Sequence, residues 1–453
     1  MPGPWRGQFA ATLCFGRLRP EPVATYTVRR SGSSENIGEE GGGTGKESIM
    51  KTARQKQCWV SRIAHPAASA VLALTTVLVL AALAIPRAQA QTYTETVIHN
   101  FTGTPDGTDS YAGLVAGTSG NLYGTTALGG AFSLGAVIKV SKTGAESTLY
   151  SFTTAAGSYP EAGLVTDSAG NLYGTTYEGG ASGWGSVFKL TPGGKETTLY
   201  SFAGPSGGPD GAFPLGGLVV DSAGNLYGTT WQGGTSGEGT VFKVSATGQE
   251  TVLTSFDGTN GAYPQAGLVR DASGNLYGTT VFGGTSNEGT VFTVSASGVE
   301  TVLHSFDGDG EWPVAGLVRD GKGNLYGTTE LGGDYSLGVV FKLSASGKII
   351  ILHSFGGSDG QYPQSALVRD SSGNLYGTTL EGGPNGFGAV FETSATGRQT
   401  LLYGFTGRSG DGAYPRAALV RDAKGNLYGT TTAGGASSNC ISGCGTVFEL
   451  SPQ

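Results

Sequence analysis

Gly120-Asn121-Leu122-Tyr123-Gly124-Thr125-Thr126 is a seven-residue stretch that returns unaltered six more times along this 453-residue chain. The later copies begin at Gly170, Gly224, Gly274, Gly323, Gly373 and Gly425, so neighbouring copies lie 49 to 54 residues apart. A fixed period in this range is the signature of a repeat architecture, in which one small structural unit recurs along the chain. The sequence therefore predicts seven copies of one unit.

Each copy contains four short apolar segments separated by turn residues. In the third copy these segments are residues 217–220, 225–230, 240–244 and 250–256. They are rich in β-branched and aromatic residues, have the length of ordinary strands, and show no helical period. Turns of the types D-x-x-G and S-x-x-G join them, as in β-hairpins with glycine in the left-handed position. The predicted unit is a four-stranded antiparallel meander, whose strands we name A to D.

Apolar side chains occur on both faces of the predicted sheet, with Val241 on one face and Phe242 and Val244 on the other. Such a sheet needs cover on both sides, and face-to-face stacking of the copies around an axis provides it in a β-propeller. The repeats start with a D strand and end with a C strand. We therefore predict an all-β, seven-bladed propeller closed by pairing of residues 95–101 with residues 446–448. An open solenoid is the alternative, but neither end carries a capping repeat.

The first ninety residues differ from the repeats. Residues 1–49 show no apolar period, and we predict a disordered, non-native extension upstream of the true start at Met50. Residues 50–90 resemble a secretory signal peptide, with a basic start, an apolar run and the small residues of Ala88-Gln89-Ala90. We predict cleavage after Ala90, which leaves residues 91–453 as one propeller domain that is secreted, periplasmic or at the cell surface. An uncleaved membrane anchor is the alternative.

Export changes the charge balance of the protein. Residues 91–453 carry 16 Lys and Arg against 29 Asp and Glu, a formal net charge of −13. An acidic surface repels phosphate backbones, so we expect no nucleic-acid partner. This part of the chain keeps Cys440 and Cys444, for which an oxidising compartment favours a short-loop disulfide. A metal site there would need further ligands, and no histidine lies near in sequence.

The repeat consensus, GLVxDxxGNLYGTTxxGGxxxxGTVFKL followed by ETVLYSF, resembles the GloVer tandem repeat of bacterial exported proteins. The resemblance covers about residues 95–450. It implies a propeller-like protein that is secreted or located at the cell surface. The biochemical role of that family is undefined, so the resemblance implies no catalytic residue and no cofactor.

Residues that break the repeat would mark an active site. His99, His304 and His353 instead share one slot, two residues before the phenylalanine that closes strand D, where other copies have Tyr or Thr. We interpret this slot as structural, and no Ser-His-Asp arrangement is expected. The aspartate that ends strand A in six copies is interpreted as an Asx turn and not as a calcium ligand. No polar cluster specific to one copy stands out, so we predict no catalytic residue, metal or cofactor.

The loops between strands B and C vary from copy to copy, and in a propeller they share a face with the crossovers from D to the next A. An aromatic residue followed by proline precedes strand A in six copies, and this regular spacing indicates packing between blades. The candidate ligand-binding residues are aromatic residues of these loops and crossovers: Tyr177, Trp184, Trp231, Phe282, Trp312, Tyr335 and Phe387. Such rings beside carboxylates suit sugars or protein contacts, although packing onto neighbouring loops is the alternative.

We therefore expect a rigid, monomeric, non-enzymatic module that binds carbohydrate or an extracellular protein through this loop face. Two alternatives remain open from the sequence. One is an enzyme acting on polysaccharide, with loop carboxylates as acid and base. The other is a structural surface or matrix protein without a defined ligand.

Overall fold

A computed structural model describes residues 92–117, 119–204, 210–408 and 410–453. The predicted upstream extension, signal peptide and cleavage site lie outside these residues. Seven four-stranded antiparallel sheets form a seven-bladed β-propeller, which confirms the predicted fold. None of the described residues forms a membrane-spanning helix.

The blades are numbered by the position of strand A along the chain. The A strands are Val115–Ala116, Val165–Thr166, Val219–Val220, Val269–Arg270, Val318–Arg319, Val368–Arg369 and Val420–Arg421. The B strands are Leu122–Thr126, Leu172–Thr176, Leu226–Thr230, Leu276–Thr280, Leu325–Thr329, Leu375–Thr379 and Leu427–Thr431. The C strands are Ala136–Val140, Ser186–Leu190, Thr240–Val244, Thr290–Val294, Val339–Leu343, Ala389–Thr393 and Thr446–Pro452. The D strands of blades 1 to 6 are Glu146–Ser151, Glu196–Ser201, Glu250–Ser255, Glu300–Ser305, Ile349–Ser354 and Gln399–Gly404, and that of blade 7 is Tyr93–Asn100.

Strand A spans two residues in every blade, so it is shorter than the four-residue segment that the sequence predicts. In six blades a proline lies five residues before it, and proline has no N–H to donate to a ladder. The aromatic residue before that proline also has a left-handed backbone, as at Tyr159 with φ 56° and Phe213 with φ 59°. Asp109 takes this conformation in blade 1, with φ 54°. The chain therefore makes a sharp turn before it joins the sheet.

The glycine of each GTT leaves room for the core to pack over strand B. A methyl group on Gly174 would lie 2.7 Å from Cζ of Phe188 and 2.9 Å from Cδ2 of Leu164. Both of these side chains are buried, so neither has free space to retreat into. Glycine is required at this position by packing, since its backbone here lies in ordinary strand conformation.

The first threonine of each GTT joins its blade to the next one. Thr125 Oγ1 donates a hydrogen bond of 3.1 Å to the carbonyl oxygen of Ala162 in blade 2. Thr430 in blade 7 donates in the same way to the carbonyl oxygen of Ala112 in blade 1, at 3.4 Å. The same bond recurs at Thr175, Thr229, Thr279, Thr328 and Thr378. These buried hydrogen bonds therefore run around the whole ring.

The asparagine and tyrosine of GNLY are held by the aspartate that follows strand A. Asp167 accepts hydrogen bonds from the backbone N–H of Ala169 and Asn171, from the Asn171 amide and from the Tyr173 hydroxyl. In blade 5, burial opposes ionisation of Asp320, but hydrogen bonds from Asn324 and its neighbours lower the pKa of this carboxyl to about 2. These contacts are those of an Asx turn, as the sequence indicates.

The phenylalanine that follows strand D lies at the centre of the core between two blades. Phe152 is fully buried, and its ring meets that of Phe188 in the next blade edge-on, with 5.0 Å between centroids. Phe101 occupies this position between blades 7 and 1, where it shares a core cluster with Ile138 and Val447. Each blade thus buries both of its faces against its neighbours.

The ring is closed by the two ends of the repeat region. Tyr93–Asn100 pairs antiparallel with Thr446–Pro452, from Tyr93 opposite Pro452 to Asn100 opposite Thr446. The sheet of blade 7 accordingly combines one strand from the start of the described chain with three from its end. This pairing is the closure that the sequence predicts.

Replacing Phe101 with Ala should destabilise the protein by about 3–5 kcal/mol, because the change leaves a cavity between blades 7 and 1. Urea unfolding followed by fluorescence measures this loss. Phe132→Ala is the matched control, since Phe132 is 60% exposed and its loss should cost less than about 0.5 kcal/mol. Equal effects of the two substitutions would contradict the assignment of Phe101 to the closing core.

Candidate functional site

The B–C loops and the D–A crossovers are fastened together on one face of the propeller. In blade 2, Ser158 of the crossover pairs with Glu178 of the loop, and in blade 4 Ala262 pairs with Phe282. In blades 3 and 7 the contact extends to short two-stranded sheets, Gly211–Ala212 with Gln232–Gly233 and Gly412–Ala413 with Ala433–Gly434. This loop face is therefore a continuous, hydrogen-bonded surface.

The candidate aromatic residues Tyr177 and Trp184 both pack against Phe213, which lies in the next crossover. The ring centroids are 4.9 Å and 5.0 Å from that of Phe213. Both candidates are partly buried. Their rings therefore form a blade-to-blade contact, as well as part of the loop face.

Three more candidates form a second aromatic group. Trp231 lies 5.0 Å from Tyr263, which contacts Phe282, and Phe282 lies 5.7 Å from Trp312. Among the described residues, no ring contact joins Phe387 or Tyr335 to either group. Phe387 pairs with Tyr414 at 5.8 Å, and Tyr335 stands 64% exposed.

One position differs from blade to blade, and it is not among the candidates predicted from the sequence. It follows the proline of each crossover (Ser110 in blade 1) and precedes the small residues that lead into strand A. From blade 1 to blade 7 this position holds Tyr111, Glu161, Leu215, Gln265, Val314, Gln364 and Arg416. The expectation that no blade-specific polar cluster exists is therefore wrong. The signal was the variation of a single position between nearly invariant neighbours.

This variable position lies beside the axis of the ring. Two residues further on, the chain is glycine or alanine in every blade, and the backbones of adjacent blades approach closely. A methyl group on Gly267 would lie 2.8 Å from the carbonyl oxygen of Gly217, and one on Gly113 would lie 3.2 Å from that of Ala418. The variable position therefore lies at the inner edge of each blade, where adjacent blades come closest.

Two direct contacts involve side chains at this position, and each of them joins two adjacent blades. The Arg416 guanidinium of blade 7 lies over the ring of Tyr111 in blade 1, with Cζ 5.4 Å from the centroid. Gln364 of blade 6 donates a hydrogen bond from Nε2 to Oε1 of Glu330 in the blade 5 loop, at 3.0 Å. Together with Asp109 and Glu161, whose charges interact with Arg416, these residues form what we call the axial cluster.

Glu161 has the most unusual acidity in the axial cluster. Burial raises the pKa of its carboxyl to about 7, while the positive charge of Arg416 opposes this rise and the carboxylates of Glu178 and Asp109 add to it. The carboxyl therefore titrates near neutral pH. It can donate a hydrogen bond in one state and accept one in the other.

Arg416 is the shared counter-charge of the axial cluster. Burial raises the pKa of Glu330, against the hydrogen bond from Gln364 and the charge of Arg416. Burial likewise raises the pKa of Asp109, which is opposed by a hydrogen bond from Thr108 and by Arg416. Burial also raises the pKa of Tyr111 to about 12, so that its hydroxyl stays protonated as a donor. The cluster therefore offers hydrogen-bond donors and acceptors beside an aromatic ring.

The three histidines lie on the outer strands, where their slot serves a structural purpose. His99 Nε2 lies 3.1 Å from Oδ2 of Asp106, and His353 Nε2 lies 2.7 Å from Oδ2 of Asp359. Tyr200 fills the same slot in blade 2 and donates to Asp210 at 3.0 Å. Histidine and tyrosine thus perform the same task of holding the next crossover. In the described ranges, no group of three His, Cys, Asp or Glu side chains could hold a metal ion.

A model of the Gloeobacter/Verrucomicrobia repeat matches residues 84–273 and 266–448, which confirms the GloVer resemblance. No curated protein matches the chain. Among solved structures, the extracellular domain of a hybrid two-component system from B. thetaiotaomicron is similar, with 13% identity and a TM-score of 0.52. The match covers 80% of this chain and 41% of that one.

A second extracellular domain of a hybrid two-component system from B. thetaiotaomicron has 10% identity and a TM-score of 0.50. That match covers 79% of this chain and 39% of the other. The chain therefore spans about two fifths of the length of these two proteins. At such low identity the similarity shows the propeller fold alone.

The wild-type protein should become less stable as pH rises toward neutral, because Glu161 loses its proton. Glu161→Gln should not show this decrease. The folded protein holds this proton more tightly than the unfolded chain, because the pKa is raised from 4.5 to about 7. The stability contributed by Glu161 is therefore fully present below pH 4.5 and is lost as pH rises through about 7. Between pH 4.5 and 8, the wild type should lose on the order of 3 kcal/mol more than the variant.

Urea unfolding at a series of pH values measures this difference directly. The comparison with the variant cancels the contribution of the other carboxyls, which titrate in both proteins. Parallel stability curves for the two proteins would show that Glu161 titrates normally in the fold.

Proposed function

Since the chain belongs to the Gloeobacter/Verrucomicrobia repeat family and closes into a propeller, we propose that it is an exported, rigid module that binds carbohydrate at the axial cluster. The observation that carries this proposal is the partly buried set of Glu161, Arg416 and Tyr111 on the loop face. The scaffold beneath these side chains is held by main-chain pairing and by hydrogen bonds between blades. The site is therefore built in advance of binding, which lowers the entropic cost of association.

The chemistry of the axial cluster suits sugar hydroxyls, which both donate and accept hydrogen bonds. Arg416 and the Tyr111 hydroxyl are donors, Glu330 is an acceptor, and Glu161 can act as either near neutral pH. The rings of Tyr111 and Tyr177 add apolar surface, and the charges of Glu161 and Glu178 both act on the Tyr177 hydroxyl. A few placed polar groups beside aromatic surface are typical of small-molecule sites.

A carbohydrate is favoured over a large protein partner by the packing of the loop aromatics. Protein interfaces depend on exposed aromatic anchors at their centre. Here six of the seven candidate rings are partly buried against neighbouring residues, and Tyr335 alone of that set is exposed. The polar axial cluster is thus the better-supported site.

The second candidate function is catalysis on a polysaccharide, and the acidity of Glu161 favours it. A carboxyl with a pKa near 7 is suited to general acid catalysis, and Glu330 or Asp109 could serve as the partner carboxylate. The binding proposal is preferred because Arg416 interacts with all three acids. This shared charge interaction gives them a common role in shaping one polar site.

Export belongs to the proposal. It is supported by the signal-peptide pattern of residues 50–90 and by the two similar structures, which are described as extracellular domains. Protein recovered from the medium or periplasm of an expressing bacterium should therefore have an intact mass that begins at Gln91.

The same secreted protein provides the test of binding on a glycan array, followed by calorimetry with each glycan that binds. Glu161→Gln and Arg416→Ala should each weaken binding at least tenfold, because each removes a group of the axial cluster. Glu146→Gln is the matched control, since Glu146 lies on an outer strand and binds Thr148. It should bind like the wild type.

Release of reducing ends from the bound glycan distinguishes the two candidates. Turnover that Glu161→Gln abolishes would establish the enzyme instead of the binding module. An array without any binding glycan would reject both and leave the structural surface protein.

A further inference from the structure

The B–C loop of blade 7 differs from all the others in length. This connection comprises residues 432–445, or 14 residues, whereas the corresponding connection in each of the other six blades has nine. The longer loop contains the sequence Asn439-Cys440-Ile441-Ser442-Gly443-Cys444. An insertion into one blade of a regular ring changes the shape of the loop face at that place alone.

The inserted loop is held in position by covalent and polar contacts. Cys440 and Cys444 form a disulfide, and Cys444 is fully buried in the core between blades 7 and 1. The Asn439 side chain donates a hydrogen bond of 2.8 Å to the carbonyl oxygen of Thr102, just after the closing strand. The tip of this constrained loop is Ile441, which is fully exposed.

The loop forms one wall of a cleft toward blade 6. The cleft has a volume of about 450 Å³, and Phe387 of the blade 6 loop and Tyr414 of the crossover into blade 7 also line it. The rings of these two residues are 5.8 Å apart and inclined at 60°. Ile441, Ser438 and Ser442 line the side that the inserted loop provides. The volume falls in the range of small-molecule sites.

None of the residues that line the cleft carries a charge. The lining consists of serines and glycines together with two aromatic residues, Ala413, Cys440 and Ile441. A charged ligand would lose its hydration there without gaining a counter-ion. A sugar ring without charge has the matching composition, since its C–H faces can pack on the rings while its hydroxyls bind serine and main-chain groups.

We propose that this cleft between blades 6 and 7 is a second ligand site, which binds a neutral sugar ring. It shares no residue with the axial cluster, so it goes beyond the binding function proposed above. The disulfide-bonded loop of blade 7 lines one side of this cleft, and the shorter B–C loops of the other blades have no equivalent segment. A polysaccharide chain could then contact the loop face at two separate places.

The test uses the secreted full chain with its isoleucine δ-methyl groups ¹³C-labelled. Cellobiose, maltose and N,N′-diacetylchitobiose serve as probes, and glucuronic acid serves as the charged comparison. A neutral disaccharide should shift the Ile441 methyl resonance, which Ile441→Val identifies by its disappearance. The methyl of Ile350, which is 38% exposed on the outer strand of blade 5, should not move. This local signal is independent of whatever happens at the axis.

Substitutions then separate the cleft from the axial site. Phe387→Ala and Ile441→Asp should each weaken binding of the neutral probe at least fivefold, and Ile441→Asp cannot act through unfolding because its side chain is in solvent. Tyr335→Ala, in the exposed blade 5 loop, should leave the affinity unchanged. Glu161→Gln should leave the Ile441 shift unchanged even if it abolishes binding at the axis.

Three results would overturn the proposal. One is that no neutral disaccharide moves the Ile441 resonance. Another is that glucuronic acid moves it as strongly as the neutral probes do. The third is that a capped, uncharged hexapeptide moves it where the sugars do not, which would make the cleft a peptide site.

Discussion

A four-stranded sheet with apolar residues on both faces cannot stand alone in water, and this constraint governs the whole molecule. Each blade satisfies it by burying a phenylalanine such as Phe152 against the next blade and by donating a threonine hydrogen bond across the same boundary. A linear stack would leave two faces bare, whereas a ring leaves none. The pairing of Tyr93–Asn100 with Thr446–Pro452 joins the two ends and makes the ring complete.

The same constraint decides which residues are free to serve function. Every blade commits its GNLYGTT residues to the space for the core and to the bond between blades, and six blades also commit them to the Asx turn. The variable position before the glycine or alanine that leads into strand A makes none of these contacts. It can therefore hold Glu161 in one blade and Arg416 in another. The B–C loop of blade 7 is likewise free to grow by five residues because the adjoining strands already satisfy the fold.

The fold could be predicted from the sequence because the repeat makes the same local argument seven times. The structural roles of the histidine slot and of the aspartate turn could be predicted in the same way. The slot holds His, Tyr or Thr in different copies, and the aspartate recurs in six of the seven. The variable position can be read from the sequence, but its assembly into the axial cluster could not be predicted, because Tyr111 and Arg416 are about three hundred residues apart and meet only through ring closure. The shortness of the A strands was not predicted, because it follows from the left-handed backbone at Tyr159 and its equivalents. Aromatic residues rarely adopt this conformation, so their presence in the sequence does not indicate it.

Removal of the closing strand tests the ring most directly. A protein that lacks residues 92–100 keeps six whole blades and three strands of the seventh, and its urea unfolding can be compared with that of the full repeat region. We expect a large loss from the ordinary domain stability of about 5–15 kcal/mol, with recovery when a synthetic peptide of residues 92–101 is added. An unchanged unfolding midpoint that ignores the peptide would contradict closure by this strand.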